Sequence, residues 1–173
     1  PVSMPGMMDT ILNLGLTDTT TEALARLTGD AAFAWEAYRR FIRMFAEIVL
    51  GVPGHPMDEA FEKAKLTNGP LGEAELRAVV ARMKRIIDGF VSQEIPDDPY
   101  EQLRLSIQAV FNSWGNKRAV DYRNHAGIPH DLGTAVNVQL MVFGNLGKDS
   151  ATGVAFTRNP ATGERGLYGE YLL

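Results

Sequence analysis

The sequence has no cysteine among its 173 residues and only three histidines. Without cysteine the chain can form no disulfide framework and no thiolate metal site, and it has no thiolate nucleophile. Basic residues are in the minority, because 17 lysines and arginines stand against 21 aspartates and glutamates, for a formal net charge of -4. This balance argues against a surface that neutralises nucleic-acid phosphates, so no nucleic-acid partner is expected.

Several other signals are missing from the sequence. No uninterrupted apolar run reaches the length of a membrane span, and the first residues lack the basic and apolar regions of a signal peptide. No phosphate loop of the GxGxxG or GxxxxGK[ST] type occurs, and no serine or aspartate has the setting of a catalytic triad. The sequence therefore predicts a cytoplasmic globular protein that has no membrane partner and no nucleophile of its own.

Apolar residues recur at three- and four-residue steps between roughly Thr19 and Asn124, which predicts a helical region. The clearest helix follows Asp30, whose side chain can cap the free amides of the first turn. Gly51 and Pro53 end it, since glycine tolerates left-handed geometry and proline cannot continue the hydrogen-bond ladder.

Three more helices are predicted before the pattern changes. A short one runs from about Met57 to Lys65, and a long one has an apolar face that extends to Phe90. The last has Pro99 in its first turn and a break or kink at Gly115. Its predicted buried stripe consists of Leu103, Ile107, Val110, Phe111 and Trp114.

After Gly127 the sequence is rich in β-branched residues and alternates apolar with polar positions. Strands are predicted over 136–142, over Gly153 to Arg158 and from Leu167 onward, with a turn over 159–166. Together they predict a three-stranded antiparallel meander. The last strand reaches the end of the chain in mid-pattern, so we expect the sequence to be cut from a longer one.

Most polar candidates have an ordinary explanation. His55, His125 and His130 can each act as acid, base or ligand in principle, but none has supporting neighbours, so structural or exposed roles are favoured. The arginines of the long helices form either a solvated face or a patch for anions, and the solvated face is the more frequent case.

Two stretches favour a binding role. In "SMPGMMDT", Pro5 and Gly6 predict a turn that can lie over a polyphosphate, although a buried turn filled by methionines fits as well. Near the predicted strands, Gln139, Thr157, Arg158 and Glu170 lie beside apolar residues. A strand edge can bind adenine through its backbone, and an acidic side chain can hold Mg²⁺.

Four stretches carry a resemblance to a known family: "SMPGMMDTILNLGL", "VFNSWGNKRAVDYRNHAGI", "GTAVNVQLMVFGN" and "SATGVAFTRNPATGERGLYGEYLL". In this order they resemble the nucleotide-binding part of the pyruvate phosphate dikinases, and the likeness covers essentially the whole chain. The related phosphoenolpyruvate synthases are less similar, because "MPGMMDT" and "VFGN" are the forms that these motifs take in the dikinases.

The resemblance implies an ATP-grasp domain that binds ATP and Mg²⁺ between two subdomains. A pyrophosphoryl group passes from ATP to a histidine on a swivelling domain and leaves AMP. Phosphate then takes the outer group as pyrophosphate, and a pyruvate-binding barrel receives the remaining phosphoryl group to form phosphoenolpyruvate. The overall reaction converts ATP, pyruvate and phosphate to AMP, phosphoenolpyruvate and pyrophosphate, and the full-length enzyme is expected to be a homodimer. Such transfer needs positioning and charge neutralisation rather than a nucleophile on the ATP side.

Site residues follow from the same resemblance. Gln139, Met141 and Val142 match the strand that lines the adenine, and Glu170 matches the acidic position that holds Mg²⁺ and the phosphates. Thr157 and Arg158 lie on the neighbouring strand. Met4 to Met8, including Gly6, match a loop beside the phosphates. The phosphate-binding lysine and arginine of the family, and its Thr-Ser-His phosphohistidine motif, are not in this sequence.

The predicted class is therefore α+β, with a mainly helical subdomain beside an incomplete antiparallel ATP-grasp sheet. The predicted parts are a nucleotide-site loop over 1–18, a helical insertion over 19–100, and a helix with strands over 101–173. We expect the isolated chain to bind ATP weakly and to have no dikinase activity, with residues 4–10 poorly packed or held by a neighbouring chain. Two other functions remain open, a helical interaction module and a related synthase or water dikinase.

Overall fold

The computed structural model describes residues 2–172. They form six α-helices, two short 3-10 turns at Ser113–Gly115 and His130–Leu132, and one antiparallel strand pair. The helices are α1 (Asp18–Thr28), α2 (Ala31–Ile48), α3 (His55–Asn68), α4 (Glu73–Asp88), α5 (Pro99–Asn112) and α6 (Lys117–Ala126), and the strands are β1 (Thr152–Arg158) and β2 (Arg165–Leu172).

The residues predicted to begin and end helices do so in the structure. The Asp30 carboxylate accepts a hydrogen bond from the Phe33 amide at 2.9 Å and caps α2. Pro99 opens α5, which ends in the 3-10 turn that contains Gly115, so the predicted break is confirmed. The short helix predicted from Met57 extends to Asn68, whose side-chain amide donates to the Ala64 carbonyl at 3.1 Å in the last turn.

The hydrophobic core is built around α2. Phe41, Ile42 and Phe45 are fully buried on it, where they pack with residues of α3 and α4. The predicted face of α4 is confirmed for Leu76, Val79, Val80, Met83 and Ile87, all of which are buried. Phe90 was predicted to share that face, but it lies beyond the end of the helix and is exposed.

The predicted stripe of α5 is wrong in part. Phe111 is exposed, whereas the buried side chains of this helix are Gln102 and Ser106. Gln102 makes hydrogen bonds to segments on either side of it, which compensates for its burial. The hydrogen-bonded polar residue therefore occupies the inner face, and the phenylalanine turns outward.

Tyr38 gives the core a predicted pH dependence. Burial raises the pKa of Tyr38 to about 12, against an opposing hydrogen bond from Lys84. Because the folded pKa lies above the ordinary value of 10.0, the contribution of the neutral phenol is complete below pH 10 and is lost as the pH rises toward 12. As the pH rises from 9 to 11.5, the wild type should lose about 1–2 kcal/mol of unfolding free energy relative to Tyr38→Phe, which has no phenol to titrate. Denaturant titrations at each pH measure the difference.

The control for this prediction is Tyr100→Phe, since Tyr100 is 81% exposed. Its stability should follow the wild type at every pH. A constant difference between the wild type and Tyr38→Phe over the same range would contradict the prediction.

The chain divides into two compact units, residues 2–138 and residues 139–172. The first holds all six helices, and the second holds the strand pair. Helices and an antiparallel sheet in separate units make the chain α+β, as predicted. The predicted boundaries at 18 and 100 both fall within the first unit, and the three-part division remains a prediction.

The predicted three-stranded meander is wrong, because within residues 2–172 only β1 and β2 pair. The segment 136–142 is irregular, and its apolar side chains from Val138 to Val142 are exposed, with Leu140 at 95%, while Val136 is partly buried. A strand requires hydrogen bonds from a neighbour, and an alternating pattern alone does not supply one. The strand expected from Leu167 begins two residues earlier, at Arg165.

No helix within residues 2–172 has the length and apolar character needed to cross a membrane.

Candidate nucleotide-binding site

The methionine-rich stretch near the start forms a compact turn. The Met7 amide donates to the Met4 carbonyl at 3.2 Å, and Gly6 between them has a φ of 72°. A Cβ at Gly6 would meet no atom within 4 Å, so left-handed geometry rather than space favours glycine there. Met4 is partly buried and Gly6 is exposed. We call residues 4–8 the methionine loop.

Asp9 fixes the end of this loop to the helices. Its amide donates to the Ser113 hydroxyl at 3.1 Å, and the Asn116 side-chain amide donates to one of its carboxylate oxygens at 3.1 Å. Arg118 pairs with the other oxygen and donates from Nε to the Met7 carbonyl at 3.1 Å. We call these four residues the Asp9 anchor. The expectation that residues 4–10 are poorly packed or held by a neighbouring chain is therefore wrong, since distant residues of the same unit hold them.

Two cavities adjoin the loop and its anchor. The larger, of about 670 Å³, is polar, and its walls include the Asp9 anchor together with Gln93, Gln108 and Asn112. The smaller, of about 320 Å³, has an apolar wall formed by Met4, Met8, Trp114 and Leu132. The methionines thus contribute to an apolar surface, while the carboxylate that follows them borders a polar one.

Trp114 belongs to a network that the sequence did not reveal. Its indole N–H donates to the His130 carbonyl at 2.9 Å, and the buried Arg123 guanidinium lies 3.9 Å from the centre of its ring. Arg123 also donates from Nε to His130 Nδ1 at 3.0 Å, while His130 Nε2 lies 3.0 Å from the Asn124 side-chain oxygen. These contacts assign the proton of the neutral ring to Nε2. His130 is thus a structural residue.

The other two histidines are exposed. His55 is 79% exposed and lies 3.6 Å from the Glu59 carboxylate, and His125 lies in the last turn of α6. These environments agree with the structural or exposed roles predicted from the sequence.

Most arginines of the predicted helical patch are engaged with carboxylates. Arg39 and Arg40 bind Glu36, Arg43 binds Asp58 at 2.9 Å, and Arg77 pairs with Glu22 and Glu73. Burial alone raises the pKa of Glu36, but the hydrogen bonds and charges of Arg39 and Arg40 outweigh it and lower the pKa overall. Their charges are largely neutralised, which weakens the case for an anion patch or an interaction face on these helices.

In the second unit, Glu170 lies on β2 opposite Val154 of β1. The pairs Phe156 with Tyr168 and Thr152 with Leu172 lie on the same face, because neighbours two residues apart share a side of the sheet. Glu170 is exposed, and this face surrounds it with apolar side chains. The arrangement resembles the predicted one, with a carboxylate at an apolar surface.

Thr157 and Arg158 have different surroundings from Glu170. Thr157 follows Phe156 directly and therefore lies on the opposite face of β1. The strand register is irregular at this point. Phe156 pairs with Tyr168 and Arg158 pairs with Arg165, so two steps along β1 correspond to three steps along β2. The Arg158 guanidinium donates to the Gly163 carbonyl at 3.0 Å, so it is directed at the turn.

Gln139, Met141 and Val142 lie in the irregular segment before β1. Gln139 is exposed, Val142 is 84% exposed, and Met141 is 38% exposed. Their predicted role as an adenine-lining strand remains a prediction. For metal binding, residues 2–172 contain no group of three or more histidine, aspartate or glutamate side chains able to hold an ion.

A family of known domains matches this chain almost from end to end. The family described as "Pyruvate phosphate dikinase, AMP/ATP-binding domain" matches residues 1–169. The chain belongs to this family. The resemblance that the four sequence stretches suggested is therefore confirmed.

Similar dikinases come from distant organisms. A pyruvate, phosphate dikinase of Rhizobium meliloti (strain 1021) is 53% identical over 176 residues, which cover 99% of this chain and 20% of that protein. The enzyme of Clostridium symbiosum is 48% identical over 177 residues, which again cover 99% of this chain and 20% of that protein. A chloroplastic enzyme of Mesembryanthemum crystallinum is 48% identical over 177 residues, which cover 99% of this chain and 18% of that protein. The chain spans about a fifth of the length of these relatives.

The family match covers the methionine loop and the strand pair up to residue 169. Sequence reasoning identified the loop but missed the Asp9 anchor, because its members are more than 100 residues apart in the chain. Charge was the available signal, since Asp9 is the single ionisable residue among the first 17.

Proposed function

We propose that this chain is the ATP-binding part of a pyruvate phosphate dikinase. In the complete enzyme it would present ATP so that a pyrophosphoryl group passes to a histidine on a swivelling domain and AMP is released. Phosphate would take the outer group as pyrophosphate, and a pyruvate-binding barrel would complete the conversion to phosphoenolpyruvate. The observation that carries the proposal is the family match over residues 1–169, at about half identity to named dikinases. The finer proposals are an ATP-grasp fold, a cytoplasmic location and a homodimer.

The methionine loop suits a position beside the phosphates. It is a short turn with an exposed glycine, so its backbone can approach a ligand closely. Phosphoryl transfer depends on donors that are already in place, because fixed donors need no reorganisation during the reaction. Met4 and Gly6 are the residues we assign to this contact.

Residues on and before the strand pair are also assigned to the nucleotide. Gln139, Met141 and Val142 would border the adenine, with the backbone as the recognising group, and Thr157 and Arg158 would lie nearby. Glu170 would hold Mg²⁺. Its exposed carboxylate fits such a role, because Mg²⁺ typically binds one or two carboxylates together with phosphate oxygens and water. When bound, Mg²⁺ would neutralise phosphate charge.

Replacing Glu170 by glutamine in the full-length protein should weaken binding of Mg²⁺-ATP by about 10–100-fold. The change removes one charged ligand, worth about 1.5–3 kcal/mol, and each 1.4 kcal/mol is a factor of ten. Binding of ATP in EDTA should change little. Isothermal titration calorimetry of both forms measures the difference.

The matched control is Glu164→Gln, since Glu164 lies in the exposed turn between β1 and β2. It should bind Mg²⁺-ATP like the wild type. Equal binding by the Glu170 variant and the wild type would remove Glu170 from the site, and a wild type that does not bind ATP would overturn the proposed function.

A further inference from the structure

The Asp9 anchor is more elaborate than a surface ion pair. Both carboxylate oxygens and the backbone amide of Asp9 have partners, and the side chain is 17% exposed. Arg118 contacts both the Asp9 carboxylate and, within the methionine loop, the Met7 carbonyl. Three side chains that follow the end of α5 therefore converge on one point of the N-terminal segment.

The other contacts of the methionine loop are weaker than those of the anchor. The loop has one internal backbone hydrogen bond, from Met7 to Met4, its methionines are partly buried, and the Ser113 hydroxyl lies 3.8 Å from Met8 Sδ. The geometry of the loop therefore depends on the residue that follows it. Arg118 is 51% exposed, and it uses Nε and one terminal nitrogen for this contact.

We propose that Asp9 is a positioning residue for the ATP reaction. Held by Ser113, Asn116 and Arg118, it sets the place of the methionine loop. This inference rests on the proposed function, in which the loop lies beside the phosphates. Displacing a reacting or stabilising group by about 1 Å can slow a reaction about 100-fold, so a loosened loop would reduce turnover more than ground-state binding.

The test uses Asp9→Ala and Asp9→Asn in the full-length protein, with two measurements. Amide hydrogen exchange without nucleotide reports the loop itself, and residues 6–9 should exchange at least about tenfold faster in the alanine variant. Single-turnover pyrophosphoryl transfer from ATP, followed as AMP formed, should slow by about 10–100-fold, while ATP affinity falls only a few-fold. The asparagine variant keeps one acceptor oxygen and should lie between the alanine variant and the wild type.

Two further variants sharpen the test. Asn116→Ala should slow the transfer in the wild type but add nothing in the Asp9→Ala background, because both changes remove the same contact. Asp121→Asn is the matched control, since Asp121 pairs with Lys117 on the surface of α6 and should leave both measurements unchanged. Melting temperatures identify a variant that fails to fold, in which case the asparagine variant carries the comparison.

The possible outcomes separate this inference from the proposed function. Unchanged exchange in Asp9→Ala would overturn the anchor, and faster exchange with unchanged transfer would overturn the positioning role. A wild type that neither binds nor uses ATP would overturn the proposed function and this inference with it, whatever the exchange data show. Faster exchange together with slower transfer, rescued in part by asparagine, supports both.

Discussion

Replacing Phe41 by alanine should lower the free energy of unfolding by about 3–5 kcal/mol. Phe41 is fully buried in the middle of α2, and its ring centre lies 5.3 Å from that of Phe45 and 6.4 Å from that of Tyr38. Truncation removes the transfer free energy of the ring and leaves a cavity that α2 and α4 cannot fully close. Urea denaturation followed by circular dichroism measures the loss.

The control for this substitution is Phe111→Ala on α5. Phe111 is 47% exposed, so its truncation should cost less than about 1 kcal/mol. If Phe41→Ala does not fold, Phe41→Leu retains most of the apolar volume and should lose about 1–2 kcal/mol. Similar losses at positions 41 and 111 would contradict the placement of the core at α2.

The contrast between these two phenylalanines also shows how far the sequence predicts the fold. For α2, the periodic apolar residues, the Asp30 cap and the terminal Gly51 are local signals that agree with one another, and the structure follows them. For α5, the local pattern placed Phe111 inside and left Gln102 unconsidered. Helical periodicity ranks residues by hydrophobicity and does not detect a polar side chain that distant backbone groups stabilise.

The strand predicted over 136–142 fails for a related reason. Its alternation of valine and leucine with polar residues is a property of the segment, whereas a strand is a property of two segments. β1 and β2 were predictable because a turn with Asn159, Pro160 and Gly163 brings them together within a few residues. A turn at Gly144 and Asn145 follows the segment 136–142, yet within residues 2–172 the sheet contains only β1 and β2.

The Asp9 anchor joins residues 104 to 109 positions apart, so spacing gives no indication of it. Family resemblance pointed to the methionine loop as a candidate site. It did not indicate what holds the loop, since that depends on the turn between α5 and α6, where Ser113 and Asn116 point back toward the N-terminal segment. The loop was thus predictable from sequence, and its support was not.

Gln102 is the second residue that supports the N-terminal segment, and its replacement by leucine should cost about 2–4 kcal/mol. The side chain is 1% exposed, accepts from the Gly15 amide at 3.0 Å, and donates to the carbonyls of Leu16 and Pro96 at 3.1 and 2.7 Å. Leucine fills similar volume but leaves one donor and two acceptors without their partner. Only the Leu16 contact is fully buried and the other two are part-buried, so the total stays below the full cost of about 1–3 kcal/mol for each buried group. Urea denaturation measures the total.

Gln108→Leu is the matched control, because Gln108 lies on the same helix and is exposed, so its change should stay within about 0.5 kcal/mol. The effect of Gln102→Leu should also be local. Because Gln102 bonds Gly15 and Leu16, directly before the cap of α1 at Thr17, amide exchange should increase around residues 15–20 while the centre of α4 stays protected. A uniform increase across all helices would mean instead that Gln102 supports the core as a whole and not the attachment of the segment that carries the methionine loop.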